Sequence, residues 1–304
     1  MTTAFAAGEI LKPRRKVLLL AQAFPTRITD RETLMIGFGV SLVEFILATF
    51  APIFVGMFLL VTLSNATHVD IRYLSAYALG LLFWFFFDTL GDAAQLDVNQ
   101  GFSFDSGHIG LMALFIIGFL VFTLLGGALS SKDRKIGCKD TSFLLAALVA
   151  LGMGCHGVGE GIEFGGLSAG TQATNVLDAI GGINGGVGYM LHKLLESTIV
   201  IVVFIALARA NGLQFPEQMR QTAVISLVFG IPSVLGEVAG YLIPINSSWF
   251  YALGAGASLF VVLQIICQIS AAKKEEVTYS QWVRISVAMI LGFFLLYAAA
   301  LFHS

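Results

Sequence analysis

Two short motifs in the sequence carry residue types that bind metal ions. A histidine is followed four residues later by a glutamate at His156 and Glu160, and again at His192 and Glu196. A spacing of four is close to one turn of an α-helix, so each pair projects from one face of its helix, about 6 Å apart along the axis. Imidazole and carboxylate groups bind zinc and also serve iron and manganese. Two such helices lying side by side would bring two imidazoles and two carboxylates around one divalent cation.

Both motifs lie in long apolar stretches of an unusually apolar chain. Of the 304 residues, 57% are hydrophobic and 12% charged, and the mean hydropathy is +0.86. A soluble domain carries roughly twice this charged fraction. Eight runs reach the length of about 20 residues that crosses a hydrocarbon core. They lie near residues 34–63, 71–96, 107–130, 141–166, 177–208, 221–243, 249–270 and 282–302. Lipid cannot hydrogen-bond the backbone, so each run is expected to be a helix. The sequence predicts an all-α membrane protein, a bundle of eight transmembrane helices.

The basic residues indicate how the chain crosses the membrane. Ten of the 17 Lys and Arg fall at connections 1–2, 3–4, 5–6 and 7–8, including the SKDRK of residues 131–135, and none falls at the other three connections. The positive-inside rule places the first set in the cytoplasm. Residues 1–33 form a predicted basic arm before a membrane domain of residues 34–304. The same topology puts this arm outside, against the rule. Either the arm is external or an additional crossing lies between residues 17 and 49, and the short apolar stretch VLLLAQAF also leaves a signal peptide open.

Another acidic residue within the apolar runs extends the predicted metal site. Ionisable groups inside a bilayer cost a few kcal/mol each and tend to mark function. Glu237 in the sixth run is a third buried acid that would complete the ligand shell. Three carboxylates, the Lys193 ammonium and a dication would then sum to zero charge, as a site of low dielectric constant requires. The alternative for any single residue is a hydrogen bond that holds two helices together.

Three further acids indicate a route to the site. Asp88 and Asp92 lie one turn apart at the end of the second run, on the side without Lys or Arg. They form either a solvated acidic rim or a vestibule that collects cations. Glu163 follows Glu160 by three residues and has two readings, a pathway residue or an interhelical hydrogen bond.

Several stretches resemble the ZIP (Zrt/Irt-like protein) family of divalent metal-ion transporters. They are HGVGEG in the fourth run, HKLLES in the fifth, GEVAGY in the sixth, AGASLFVVLQIICQIS in the seventh and GFFLLYAAALFHS at the end. The resemblance implies that segments 1–3 and 6–8 form an inverted repeat around segments 4 and 5, with the metal site near mid-membrane. By motif, it carries metal-site positions onto His156, Glu160, His192 and Glu196, and an acidic position onto Glu237.

The sequence also departs from the pattern of that family. Gly157 and Gly159 replace residues that are often Asn and Pro, Leu195 stands where a proline is common, and Gln264 stands where segment seven often has an acid. Lys193 occupies the position that is often a carboxylate in relatives with two adjacent metals. An ammonium there would repel a second ion, so we expect one bound dication per chain.

These observations predict transport of a divalent metal cation into the cytoplasm across the plasma membrane. Zinc is the first candidate substrate, with Fe²⁺ and Mn²⁺ as alternatives. The protein is expected not to be an enzyme, and its expected partners are the metal ion and membrane lipid, not nucleic acid. A homodimer remains open. The alternative functions are a membrane-embedded metalloprotein, with a haem or di-metal redox centre, and a metal sensor that binds without transporting.

Overall fold

The computed structural model describes residues 37–67, 69–96, 106–133, 139–170, 182–271 and 278–301. The predicted basic arm of residues 1–33 lies outside these ranges. All regular structure in the described part of the chain is helical. The described ranges contain eight α-helices: α1 Phe38–Thr67, α2 Ile71–Asp88, α3 Ser106–Asp133, α4 Lys139–Gly170, α5 Gly182–Ala210, α6 Phe215–Leu242, α7 Ser248–Ala271 and α8 Tyr279–Ala300. A π-helical turn, Thr89–Ala93, continues α2.

These eight helices confirm the predicted bundle. Each is long and apolar enough to cross a membrane, and the chain is an integral, multi-pass membrane protein. Local signals fix some of the helix ends. The Asp70 carboxylate accepts a hydrogen bond from the Arg72 N–H at the start of α2. At the start of α8, Thr278 and Gln281 satisfy each other's backbone N–H groups in a capping box.

Contacts of Arg209, near the end of α5, show which connections lie together on one side of the bundle. Its guanidinium donates to the Ser64 carbonyl oxygen at 2.6 Å and to the Val69 carbonyl oxygen at 2.5 Å. The α1–α2 and α5–α6 connections therefore lie on the same side, as the distribution of basic residues predicted. We call this the basic-loop side.

The Asp70 carboxyl lies in the α1–α2 connection on this side. Its partial burial would raise its pKa, but hydrogen bonds from Arg72 outweigh that effect and hold the pKa below its usual value.

The contacts between helices repeat in a two-fold pattern. The contact between α2 and α8 has a counterpart in the contact between α3 and α7. The contact between α4 and α6 likewise has a counterpart in the contact between α5 and α1. The same exchange relates α4 on α7 to α5 on α2, and α3 on α4 to α8 on α5. Each pair becomes its counterpart when helices 1, 2 and 3 exchange with 6, 7 and 8, and 4 exchanges with 5. In the same correspondence, α1 and α6 each carry one internal proline, Pro52 and Pro232. The pattern is the one that an inverted repeat produces.

The helices α4 and α6 approach closely because glycines face each other along their contact. A Cβ atom at Gly161 or Gly165 of α4 would clash with the backbone of α6, and one at Gly236 or Gly240 of α6 would clash with the backbone of α4. Small residues allow such backbone contact between membrane helices. The contact fixes the face of α4 that carries His156 and Glu160.

The largest apolar core lies between the motif residues and the basic-loop side. On α4, the core residues Val149, Ala150 and Met153 precede His156 and are at most 1% exposed. On α5, Ile199 and Val203 follow Glu196 and are fully buried. Because α4 begins and α5 ends on the basic-loop side, a dry layer of side chains closes the bundle on that side of the two motifs.

Candidate metal centre

The structure brings the two His/Glu motifs together inside the bundle. His156 and Glu160 of α4 face His192 and Glu196 of α5, and one nitrogen or oxygen from each residue lies within 4.8 Å of the others. His156 Nε2 is 3.3 Å from Glu160 Oε1 and 3.7 Å from Glu196 Oε1. His192 Nε2 is 3.1 Å from Glu196 Oε1 and 3.9 Å from Glu160 Oε1. We call these four residues the His/Glu cluster.

The distances within the cluster suit a small divalent cation. Zinc bonds to nitrogen and oxygen are about 2.0–2.2 Å, so ligand atoms at the corners of a tetrahedron lie roughly 3.4 Å apart. The four measured separations bracket that value. Both imidazoles present Nε2 and both carboxylates present Oε1 to the same small volume. Two nitrogens and two oxygens form a donor set that zinc, iron and manganese all accept.

Lys193 binds the side of the carboxylates that faces away from the imidazoles. Its Nζ contacts Glu160 Oε2 and lies 2.7 Å from Glu196 Oε2. The side chain is 1% exposed, so it does not extend to a membrane interface. In each carboxylate, one oxygen therefore faces the histidines and the other faces the ammonium. A cation between the imidazoles would share both carboxylates with Lys193.

The surroundings of Lys193 are aromatic and tightly packed. Its Nζ lies 5.7 Å from the ring centre of Phe229 and 5.8 Å from that of Tyr189. Both distances fall within the range of cation–π attraction. With neutral imidazoles, two carboxylates and one ammonium leave the site with a single negative charge. This charge attracts a dication, and the ammonium fills the space beside it.

His156 is held from three sides by residues that the sequence did not single out. Its ring lies 4.6 Å from the Phe85 ring, edge to face, and 5.0 Å from the Tyr251 ring. Thr89 Oγ1 is 3.5 Å from His156 Nδ1, on the side of the ring opposite the cluster. Thr89 begins the π-helical turn that ends α2, a feature common at functional sites. Partners at the second ring nitrogen orient histidines that bind metal.

The glycines next to His156 make room for its neighbours. A Cβ at residue 159 would lie 2.9 Å from an atom of the Tyr251 ring, and one at residue 157 would clash with Ser233 Oγ. Glycine at these two positions therefore lets Tyr251 reach the histidine and lets α6 pack against α4. Gly157 and Gly159, the two departures from the ZIP pattern in this motif, therefore both have a role in packing.

Glu237, the predicted third acid of the shell, does not belong to the cluster. It is fully buried, and its Oε1 accepts a hydrogen bond of 2.9 Å from Ser41 Oγ of α1. It lies where α6 contacts α1 and α4, and its own backbone packs against Gly161 and Gly165 of α4. The charge balance predicted with three carboxylates therefore does not describe the cluster, which has two.

The residues predicted to lie on the pathway are Asp88, Asp92, Glu163 and Gln264, and they belong to the end of α2, to α4 and to α7. Asp88 is the last residue of α2, half-buried and directly before Thr89. Asp92 lies in the π-helical turn. Glu163 is exposed and accepts a hydrogen bond of 2.9 Å from the Tyr251 hydroxyl. Gln264 lies near Gly126 of α3, about 15 Å along α7 from the turn that meets His156.

The acidic side chains of the cluster and its neighbourhood differ in their exposure. Glu160 is 13% exposed, whereas Glu196 is 1% exposed. Glu163, one turn beyond Glu160 and away from the basic-loop side, is exposed. The exposure of these acidic side chains therefore increases toward Glu163, away from the dry layer at the basic-loop side.

Comparison with protein-family models and with curated protein sequences finds no match for this chain.

Proposed function

We propose that the protein carries a divalent metal ion across the membrane, with zinc as the first candidate and Fe²⁺ or Mn²⁺ as alternatives. The observation that carries this proposal is the His/Glu cluster within a bundle of apolar helices. Such a group is expensive to bury and has a clear use as a cation site. The proposed role is transport rather than catalysis, and the ion is a substrate that passes through.

Three features support inward transport through a ZIP-like protein. Exposure of the acidic side chains increases away from the basic-loop side, which the positive-inside rule places in the cytoplasm. The helices pack in the two-fold pattern of inverted-repeat transporters. The motifs resemble those of the ZIP family, and we propose that the chain is a divergent member acting in the plasma membrane.

The test is a flux measurement in proteoliposomes that contain a trapped zinc indicator. We expect saturable zinc uptake, and parallel assays with Fe²⁺, Mn²⁺ and Cd²⁺ give the selectivity. His192→Gln removes one imidazole and keeps a polar side chain of similar length, so uptake should fall to background. Glu217→Gln is the matched control, because it removes a half-buried carboxylate outside the cluster, at the start of α6, and it should retain uptake.

One observation favours a second function, metal binding without transport. Lys193 already pairs with both carboxylates of the cluster, so part of their charge is balanced without a bound metal. A sensor of this kind would bind stoichiometric metal and give no flux for any of the four ions. That combination would overturn the transport proposal and leave the metal site in place.

A further inference from the structure

Glu163 and Tyr251 form a link between the surface and the His/Glu cluster. Residues 156, 160 and 163 follow one another at spacings of four and three along α4, so their side chains share one helical face. The Tyr251 hydroxyl of α7 donates to Glu163 Oε2 at 2.9 Å. The ring of the same tyrosine packs 5.0 Å from the ring of His156. One buried side chain therefore touches both a proposed ligand and the exposed carboxylate.

Glu163 is exposed on a helix that is long and apolar enough to cross a membrane. A carboxylate exposed to hydrocarbon within a membrane-spanning helix is strongly unfavourable. Tyr251 is 6% exposed, so the hydrogen bond is anchored in the interior and holds the carboxylate against α7. Glu160, one turn deeper, is the most exposed of the four cluster side chains. The two carboxylates thus stand in series along one face of α4.

We propose that Glu163 is a relay carboxylate for the cation. It binds the incoming dication while the ion keeps most of its water shell, and the ion then exchanges water for Glu160 one turn further in. Tyr251 is a positioning residue that keeps the carboxylate on this route. The inference rests on the proposed function, since it specifies how a divalent cation reaches the same cluster.

A relay position has a kinetic signature that a ligand position lacks. Stabilising the ion midway lowers the barrier in both directions, so losing the relay slows association and dissociation by the same factor. The equilibrium affinity of the cluster then stays unchanged. A residue that only attracts the ion at long range, or only supports the fold, would instead change the affinity.

The experiment is stopped-flow binding of Co²⁺ to the full chain in lipid nanodiscs, followed by the visible absorption of the bound ion. We expect Glu163→Gln to reduce both rate constants roughly tenfold with the dissociation constant unchanged. Glu163→Asp keeps the charge and should recover most of the rate. Tyr251→Phe keeps the ring against His156 and should slow both rates by a smaller factor.

The control is Glu44→Gln, which removes another exposed carboxylate from the same half of the bundle. It should leave both rates unchanged, and the Glu163→Gln effect should persist at 1 M salt, where the Debye length is about 3 Å. The inference is overturned if Glu163→Gln leaves both rates unaltered, weakens the equilibrium affinity, or matches Glu44→Gln. Absence of Co²⁺ binding to the unmodified protein would instead overturn the proposed function. If the protein binds Co²⁺ but shows no flux, the transport proposal fails. The binding rates would still show whether Glu163 lies on the route to the cluster.

Discussion

Lys193 and Glu196 form a buried ion pair one turn apart on α5, with Nζ 2.7 Å from Oε2. The other oxygen of Glu196 lies 3.1 Å from His192 Nε2. A single carboxylate therefore serves a fixed internal cation and the proposed position of a metal ion. This arrangement makes the properties of the metal site depend on the lysine as well as on the ligands.

Removing one proposed ligand should abolish tight metal binding and leave the bundle assembled. His156→Ala and His192→Ala each take one nitrogen from a set of four donors, so we expect the affinity for Zn²⁺ to fall by more than roughly 100-fold. Calorimetric titration and elemental analysis of the purified protein measure this. His108→Ala, which removes a histidine of α3 outside the cluster, is the control. Full metal stoichiometry in both ligand variants would refute the site.

Replacing Lys193 with aspartate should create a second metal position. Lys193→Asp changes the local charge by two units and places a carboxylate where the ammonium contacts both glutamates. We expect one Zn²⁺ per unmodified chain and two per variant chain, counted by elemental analysis. Two ions in the unmodified protein would contradict the role assigned to the lysine.

Replacing Lys193 with methionine separates its effect on stability from its effect on binding. Lys193→Met leaves two buried carboxylates without their cation, so the free energy of unfolding of the metal-free protein should fall by about 3–5 kcal/mol. Zn²⁺ should bind more tightly and restore stability, because the ion supplies the missing charge. Denaturant titrations with and without zinc test both effects. Equal destabilisation in the two conditions would argue against an ion between these carboxylates.

Metal affinity should rise with pH through the range in which histidine titrates. Each imidazole must lose its proton before Nε2 can bind, and the unperturbed pKa of histidine is about 6.5. Over the pH range in which both imidazoles of the metal-free protein carry a proton, Zn²⁺ binding should weaken by up to about 100-fold per pH unit. In His192→Gln, one ligand histidine remains and the slope should be half as steep on a logarithmic scale. A flat affinity between pH 5.5 and 7.5 would exclude histidine ligands.

A separate pH effect should arise at the start of α2. The pKa of Asp70 is lowered in the folded protein, so its charged form favours folding above the unfolded value of about 3.9. That contribution is lost as the pH falls through the folded pKa. Asp70→Asn keeps a capping side chain and should lower stability at pH 7 by at most about 1 kcal/mol. The difference from the unmodified protein should shrink below pH 4, as measured by denaturant titration.

The helices and the two motifs were predictable because their signals are local. An apolar run long enough to cross a membrane must form a helix in lipid. A spacing of four then places His156 and Glu160 on one helical face. The position of Glu237 was not predictable in this way. Which face of α6 meets α4 is decided by the glycine contacts between the two helices, and these place Glu237 beside Ser41.

The surroundings of His156 also required the folded structure. Tyr251 belongs to an apolar run like any other, and its contact with the histidine depends on the packing of α7 on α4. Thr89 reaches the ring from a π-helical turn, and a change from α-helix to π-helix leaves no clear periodic signal in a sequence.

The dry layer at the basic-loop side determines where an electric field would act on a transported ion. Water conducts and packed side chains insulate, so the transmembrane voltage falls mainly across the layer that includes Met153, Ile199 and Val203. An ion arriving by way of Glu163 would cross little of that voltage. Its release on the basic-loop side would cross most of it, and a dication gains about 4.6 kcal/mol per 100 mV over the full field. Membrane potential would therefore act on release of the ion and leave its capture almost unaffected.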